Sequence, residues 1–341
     1  MKCLVTGGAG FIGSHLAEEL VRRGHEVTIF DNFSTGKLEN LRGLPAYVIE
    51  GDLRDADQVE SAVKGIDTVF HLAALCSVSR SVADPKSTHD VNITGTLNLL
   101  EACRKARVRR LVLSSSSSVY GESETLPKHE DMKPAPISTY AVSKLTGEHY
   151  CQVYWKAYGL ETVCLRYFNV FGPRQDPNSE YAAVIPKFID AVLNGHSPLI
   201  YGDGSQTRDF TYVDNVVNAN ISAAESPRMP GQIVNIACEG RLSLLDLLKN
   251  IGRILDVDIA PEFRDARTGD VKHSQASIAK AQELFDYAPR IDFEKGLKLA
   301  IKWYRQSSGI AEKTVTPMPA STKSDRRNEN RQWNEKQVMN L

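Results

Sequence analysis

A glycine-rich turn set between a short β-branched run and a helical pattern narrows the possible folds of this 341-residue chain more than any other feature. Gly7-Gly8-Ala9-Gly10-Phe11-Ile12-Gly13 follows Lys2–Thr6, which reads as a strand. It opens a helix expected over Phe11–Gly24, with apolar positions at Phe11, Ile12, Leu16, Leu20 and Val21. In that setting Gly7 permits a tight turn, Gly10 lets the backbone approach a pyrophosphate, and Gly13 lets the helix pack on the strand. The helix N-terminus adds free N–H groups and a partial positive charge. The next strand, expected over Glu26–Phe30, leads into Asp31, 18 residues beyond Gly13. A carboxylate there accepts from both ribose hydroxyls and repels a 2′-phosphate, so NAD is expected rather than NADP. Asp52-Leu53, after the third strand, is placed to flank the adenine, with a simple turn as the alternative.

Further strands are expected at Ala46–Glu50, Thr68–Leu72, Arg110–Ser114 and Thr162–Tyr167, with helices at Thr94–Ala106 and Tyr140–Tyr158. That alternation predicts a doubly wound, Rossmann-type α/β fold with a parallel sheet covered on both faces. After Phe171 the pattern changes. Pro173, Pro177, Pro186 and Pro198 break up the next stretch, and Gly202-Asp203-Gly204 marks a turn. A helix over Val213–Ala224 and a strand over Ile233–Ile236 that rejoins the sheet follow, then helices over Leu242–Leu255 and Phe293–Tyr304. The expected division is an NAD domain of 1–172 and 212–237, a smaller α/β substrate lobe of 173–211 and 238–306, and a disordered polar tail of 307–341.

Tyr140-Ala141-Val142-Ser143-Lys144 sets a phenol and an ammonium four residues apart on one helix face. A nearby ammonium is expected to lower the phenol's pKa and make Tyr140 a general base. The serine run Ser114–Ser118 follows the fifth strand, at the end of an α/β sheet where ligands bind. A serine there can hold a substrate hydroxyl while the tyrosinate takes its proton.

Together the loop, Ser116, Tyr140 and Lys144 resemble the extended short-chain dehydrogenase/reductase family, and more specifically its NAD-dependent nucleotide-sugar 4-epimerases. The likeness runs from about Met1 to Arg305. It is carried also by Asp31-Asn32-Phe33-Ser34-Thr35-Gly36, His71-Leu72-Ala73-Ala74, Asn92, Leu165–Val170, Arg208-Asp209-Phe210 and Arg267-Thr268-Gly269-Asp270. The resemblance implies Tyr140 as base, Lys144 as its activator and Ser116 as the residue that orients the sugar. It implies NAD contacts from Gly7, Gly10, Phe11, Ile12, Gly13, Asp31, Asn32, Ser34, Thr35, Gly36, Asp52, Leu53, Leu72, Ala73, Ala74, Asn92, Ser114, Tyr140, Lys144 and Tyr167. For a UDP-sugar it implies Ser77, Ser116, Ser117, Tyr140, Asn169, Val184, Lys187, Tyr201, Arg208, Arg267, Asp270 and Ser274. Asn169 and the two arginines would grip the UDP, and Val184-Ile185-Pro186 would lie beside the uracil. It further implies a homodimer through Thr94–Ala106 and Tyr140–Tyr158, paired as a four-helix bundle.

The implied reaction is C4 epimerisation of a UDP-hexose through a 4-keto sugar, an isomerase chemistry in which NAD is regenerated. A 4,6-dehydratase or decarboxylase would carry a carboxyl side chain after Ser116. This chain has Ser117-Ser118 there, which leaves an elimination without its proton donor. In the epimerases the position of Ser274 lines the sugar C2 substituent. A small residue leaves room for an N-acetyl group, so UDP-N-acetylglucosamine is expected before UDP-glucose, with Ser117 near the acetamide. A non-catalytic NAD sensor is the alternative from another class, and the intact Ser116/Tyr140/Lys144 set argues against it.

The bulk numbers fit. A net charge of −1 offers no field for nucleic acid or an anionic membrane, and no apolar run is long enough to span a bilayer. No secretory leader is read at Met1. The six cysteines are scattered without metal spacing, so no metal site and a reducing, cytoplasmic setting are expected.

Overall fold

The computed structural model describes residues 1–177, 183–265 and 272–307. Its centre is a seven-stranded parallel sheet: β1 (Lys2–Thr6), β2 (Glu26–Asp31), β3 (Tyr47–Glu50), β4 (Thr68–His71), β5 (Arg110–Ser116), β6 (Glu161–Tyr167) and β7 (Ile233–Ile236). The spatial order is β7-β6-β5-β4-β1-β2-β3. The chain therefore winds outward from β1 through β2 to β3, then crosses to β4 on the other side of β1. This reversal is the crevice where an α/β sheet takes its ligand.

The inner strands are apolar on both sides because helices cover both faces. Leu4, Val5, Val69, Phe70, Leu111, Val112, Val163 and Leu165 are all buried. Helix α1 (Phe11–Arg22) buries Gly13, Ser14, Leu16, Ala17 and Leu20. Helix α2 (Gly95–Ala106) is entered through a π-turn, Asp90–Thr94, which takes in Asn92. Such turns are rare and tend to sit at functional sites. Helix α3 (Thr139–Tyr158) starts at Ser138, whose hydroxyl caps the Ala141 N–H, and stops at Gly159 in the left-handed region. Small residues let α3 lie close to the sheet: a Cβ at Gly147 would stand 3.2 Å from Leu113 Cδ2.

Arg110, 2% exposed at the start of β5, ties β6 and the end of the helix Val213–Glu225 together. Its guanidinium pairs with Glu161 and donates to the carbonyls of Ala223, Ala224 and Ser226. Those carbonyls close the helix Val213–Glu225, where a cation is favoured by the helix dipole.

Two expectations change. The stretch punctuated by prolines contains a ten-residue helix, Val184–Leu193. Pro186 sits in its first turn, where the missing N–H has no intrahelical partner to lose, so it does not break the helix. The tail does not start at Ser307, which ends the helix Phe293–Ser307 and bonds the Tyr304 carbonyl. The rest of the expected tail, 308–341, lies outside the described residues. Short helices at Ala56–Ala62, Val78–Ala83, Pro85–His89 and Ala279–Phe285 also escaped the periodicity reading.

Candidate active site

The loop after β1 is shaped for a dinucleotide. Gly7 has φ +70°, and a Cβ there would meet the Ala73 backbone nitrogen at 2.7 Å. A Cβ at Gly13 would meet the Gly7 carbonyl oxygen at 2.1 Å. Gly10 precedes α1, where Phe11 and Ile12 form the first helical residues. The helix end there presents backbone N–H groups and its dipole to the crevice. Leu72 and Ala73 close the other wall: Leu72 N–H donates to the Thr6 carbonyl and Ala73 N–H to Thr6 Oγ1. Ala74 continues that wall.

Asp31 ends β2 and is 7% exposed. Its Oδ2 accepts the Ala9 N–H at 2.9 Å and its Oδ1 the Phe33 N–H at 2.9 Å. The carboxylate is thus also a latch that fixes the glycine loop and the following turn, with lone pairs left for hydroxyl donors. Gly36 presses on it, since a Cβ there would lie 2.9 Å from Asp31 Oδ1. Asn32 organises the same turn, accepting the Ser34 N–H and donating to Asp52, with Thr35 beside them. Asp52 is clamped by Arg54, which holds its carboxyl well below the usual range. Leu53 is buried in the core and packs on Gly95.

Along α3 the catalytic candidates converge. Ser116 hydrogen-bonds the Tyr140 phenol, and its Oγ accepts the Ser118 N–H at 3.1 Å. Lys144 is 6% exposed and donates to the Ser114 carbonyl at 2.8 Å. Its Nζ stands 5.9 Å from the Tyr140 ring centroid. Asn92 fixes the helix start: its amide donates to Ser143 Oγ and the Leu75 carbonyl, and its oxygen accepts the Leu75 N–H. Ser143 Oγ in turn donates to the Tyr140 carbonyl. Farther back, His71 bridges Thr6 and Thr96, and Thr96 bonds the Asn92 carbonyl. A buried polar chain therefore links the end of β1 to the first turn of α3. Tyr167 sits in the core behind Ser114, bonded to that serine and to Asn220.

One expectation has the opposite sign. The phenol of Tyr140 is pushed up, not down, because burial disfavours the phenolate; Cys76 adds to the rise, and only the Ser116 bond opposes it. Burial likewise pulls Lys144 down to about 8, opposed by Cys76 and Glu148. The ammonium gives one of its three hydrogen bonds to the Ser114 carbonyl, and its Nζ stands 5.9 Å from the centre of the Tyr140 ring.

Cys76 was not singled out from the sequence, because a lone cysteine in a loop carries no pattern. It is the exposed member of the six free cysteines, and it faces both Tyr140 and Lys144. Brief iodoacetamide treatment should alkylate Cys76 before the buried thiols and reduce turnover together with that labelling, read by peptide mass spectrometry. Cys76→Ser should resist; equal inactivation of that variant would place the sensitive thiol elsewhere. Ser118 Oγ, read from the sequence only as the absence of a carboxyl group, is enclosed without a hydrogen-bond partner among the described residues.

The residues expected to hold the nucleotide sugar come from many segments. Ser77 caps the helix Val78–Ala83. Ser117 opens the short turn Ser117–Tyr120. Asn169 has φ +35° and donates to the Asp209 carbonyl. Val184 and Lys187 lie in the first turn of the helix Val184–Leu193, and Tyr201 ends the short strand Leu199–Tyr201. Arg208 donates to the carbonyls of Thr207 and Lys272, and Ser274 N–H donates to the Thr207 carbonyl. This puts Arg208 and Ser274 at one seam. Arg267 and Asp270, like Asn178 and Tyr181, lie outside the described residues.

The model of the NAD dependent epimerase/dehydratase family matches residues 3–237. The chain belongs to that family. It is an NAD-dependent enzyme, and the cradle described above suits NAD: a glycine loop that tolerates no Cβ at Gly13, and a carboxylate at the end of β2. Within the family, the chain is 39% identical to the putative UDP-glucose 4-epimerase of Methanocaldococcus jannaschii, covering 89% of this chain and 99% of that one. It is 45% identical to the UDP-N-acetylglucosamine 4-epimerase of Methanobrevibacter ruminantium, solved with UDP-N-acetylmuramic acid, with a TM-score of 0.86 over 90% and 98% of the chains. The UDP-glucuronic acid 4-epimerase of Bacillus cereus, solved with UDP-glucuronic acid and NAD, is 35% identical with a TM-score of 0.85 over 90% and 100%. These relatives share the reaction in their names and differ in the sugar.

Proposed function

We propose that the chain is a UDP-sugar 4-epimerase whose preferred pair is UDP-N-acetylglucosamine and UDP-N-acetylgalactosamine, with UDP-glucose and UDP-galactose as weaker substrates. The observation that carries the reaction type is the turn after Ser116. Ser117 and Ser118 occupy it, and neither can give the proton that an elimination across C5 and C6 requires. Ser274 and Ser117 support the N-acetyl preference, since both are small and polar where a C2 substituent would need room.

Tyr140 takes the proton of the sugar 4-hydroxyl, and Ser116 holds that hydroxyl. Lys144 supplies positive charge on the same helix face. NAD, when bound, would supply a reversible hydride acceptor for the sugar C4 and a positive charge in the crevice. Gly7, Gly10, Gly13 and Asp31 hold it; Leu72, Ala73, Ala74 and Asn92 form its far wall. Arg208, with Arg267 and Asn169, grips the diphosphate, and the sugar turns about that grip. Residues 173–211 and 238–306 form the sugar-binding lobe.

Incubation with UDP-N-acetylglucosamine or UDP-glucose, followed by NMR, tests this directly. The 4-epimer is expected from both and faster from the first. A 4-keto-6-deoxy product would replace the reading with a dehydratase. Ser274→Tyr should reduce turnover of the N-acetylated sugar by about tenfold or more and spare UDP-glucose, within the range a shaped pocket can discriminate. Equal loss on both sugars would remove Ser274 from the C2 pocket.

A homodimer through α2 and α3 is part of the same reading. Val153 and Tyr158 on α3 are 51% and 56% exposed in the single chain, apolar surface that a bundle would cover.

A further inference from the structure

Behind the catalytic face of α3 lies a charge pair with no role in the reaction as written. Glu148, 0% exposed, is one turn beyond Lys144 on the same helix. Its Oε1 accepts from Ser115 Oγ at 2.5 Å and from Arg166 Nε at 2.8 Å, and its Oε2 accepts from Arg166 Nη2 at 2.7 Å. Arg166 is on β6, also buried, and its guanidinium lies over the Tyr120 ring at 4.6 Å. Tyr120 closes the turn that begins at Ser117, and its hydroxyl donates to Asn235 of β7.

Three successive residues of β5 are thereby tied to one helix. The Ser114 carbonyl accepts from Lys144, Ser115 donates to Glu148, and Ser116 bonds Tyr140. Resting on the function proposed above, we infer that Glu148 is a positioning residue. With Arg166 it locks α3 to β5 and β6, and its negative charge keeps the Lys144 ammonium protonated in a site whose burial works against it.

The electrostatic half rests on geometry first: residues at i and i+4 share a helix face, and a buried carboxylate acts through little intervening water. The groups facing Lys144 are Cys76 from the loop after β4, His71 from β4, and Tyr140 and Glu148 from α3. Buried His71 is held neutral, its pKa lowered to about 3 first by burial and then by Lys144 itself. Among these groups Glu148 carries two hydrogen bonds from the Arg166 guanidinium and sits one helical turn from Lys144.

The sign follows. A base-assisting ammonium works below its own pKa and fails above it. Removing the Glu148 charge lowers that pKa, so the alkaline limb of kcat moves to lower pH. A purely structural role would reduce kcat at every pH and leave the limb in place.

The test is Glu148→Gln in the full-length chain, with kcat against pH and an NMR titration of the Lys144 Nζ in ¹⁵N-lysine-labelled protein, assigned with Lys144→Arg. Both the limb and the titration midpoint should fall by about one pH unit, the size of shift a near charge commonly produces. Where Glu148→Gln leaves Arg166 buried alone and the chain fails to fold, Glu148→Gln/Arg166→Met removes both charges at similar volume, and a fall in the same direction but smaller is expected, because the opposing Arg166 charge goes too. An unmoved Lys144 midpoint in a folded variant overturns the inference. Absence of 4-epimer from the wild type would strike the proposed function instead, because the NMR titration needs no turnover.

Discussion

Tyr140→Phe should lower epimerisation by at least about 10³-fold, within the range attributed to general acid–base groups, and leave NAD binding and thermal stability nearly unchanged. The asymmetry comes from where Tyr140 makes its bonds. Its N–H donates to Ser81 Oγ and its carbonyl accepts from Ser143 Oγ. Those backbone bonds hold the helix start and do not involve the hydroxyl. The hydroxyl bonds Ser116, which keeps its acceptance of the Ser118 N–H after the change. Removing one oxygen therefore removes the base and little else. Retained turnover would mean that another group takes the proton; loss of NAD along with turnover would mean that Tyr140 acts mainly in holding the cofactor.

Gly13→Ala should weaken NAD binding by about 5- to 150-fold, the equivalent of the roughly 1–3 kcal/mol that overpacking costs at about 1.4 kcal/mol per tenfold. The added Cβ would fall 2.1 Å from the Gly7 oxygen and 2.9 Å from both the Gly7 carbonyl carbon and the Gly8 Cα. All three obstacles are backbone, so no side chain can swing aside. The loop must open, and the Gly10 N–H bond to the Gly7 carbonyl opens with it. The apo chain should also melt at a lower temperature. Gly10→Ala makes the informative contrast. A Cβ there meets only the Gly7 oxygen, at 3.2 Å, so the apo fold should tolerate it. Calorimetric titration with NAD, alongside melting of the apo proteins, separates the two. Identical melting losses in both would mean that Gly13 is not the packing glycine.

Much of the frame was legible from residues because parallel strands buried on both faces read as plain apolar runs. Ile233–Ile236 was located to the residue, and the long helix from Tyr140 missed only Thr139 at its start. The Tyr140–Lys144 pairing was read from their four-residue spacing, and Ser116 from its place after the fifth strand together with the family resemblance. What stayed hidden depends on contacts across the sequence. Pro186 looked like a breaker until its place in a first turn was seen. Cys76 acquires meaning only from its neighbours Tyr140 and Lys144. Glu148 and Arg166 lie on different elements, and nothing in either local pattern announces a buried pair. The Tyr140 pKa carried the wrong expected sign because spacing reports that an ammonium is near, whereas burial depends on everything packed around the phenol.

The position of β7 at the sheet edge has a consequence for how the molecule is made. Its partner β6 ends at Tyr167, yet β7 begins at Ile233, and the helix Val184–Leu193 and the strand Leu199–Tyr201 lie between them. During synthesis β6 waits with an unpaired edge while that intervening chain emerges. An open parallel edge is prone to pair with other chains, and long-range parallel pairing is slow to form. Arg110 is ready early, but the carbonyls it binds at Ala223, Ala224 and Ser226 arrive only just before β7. Those late bonds bring the helix Val213–Glu225 onto β5 and deliver the last strand beside β6. The seven-stranded sheet thus closes only after the helix Val184–Leu193 and the strand Leu199–Tyr201 have been made.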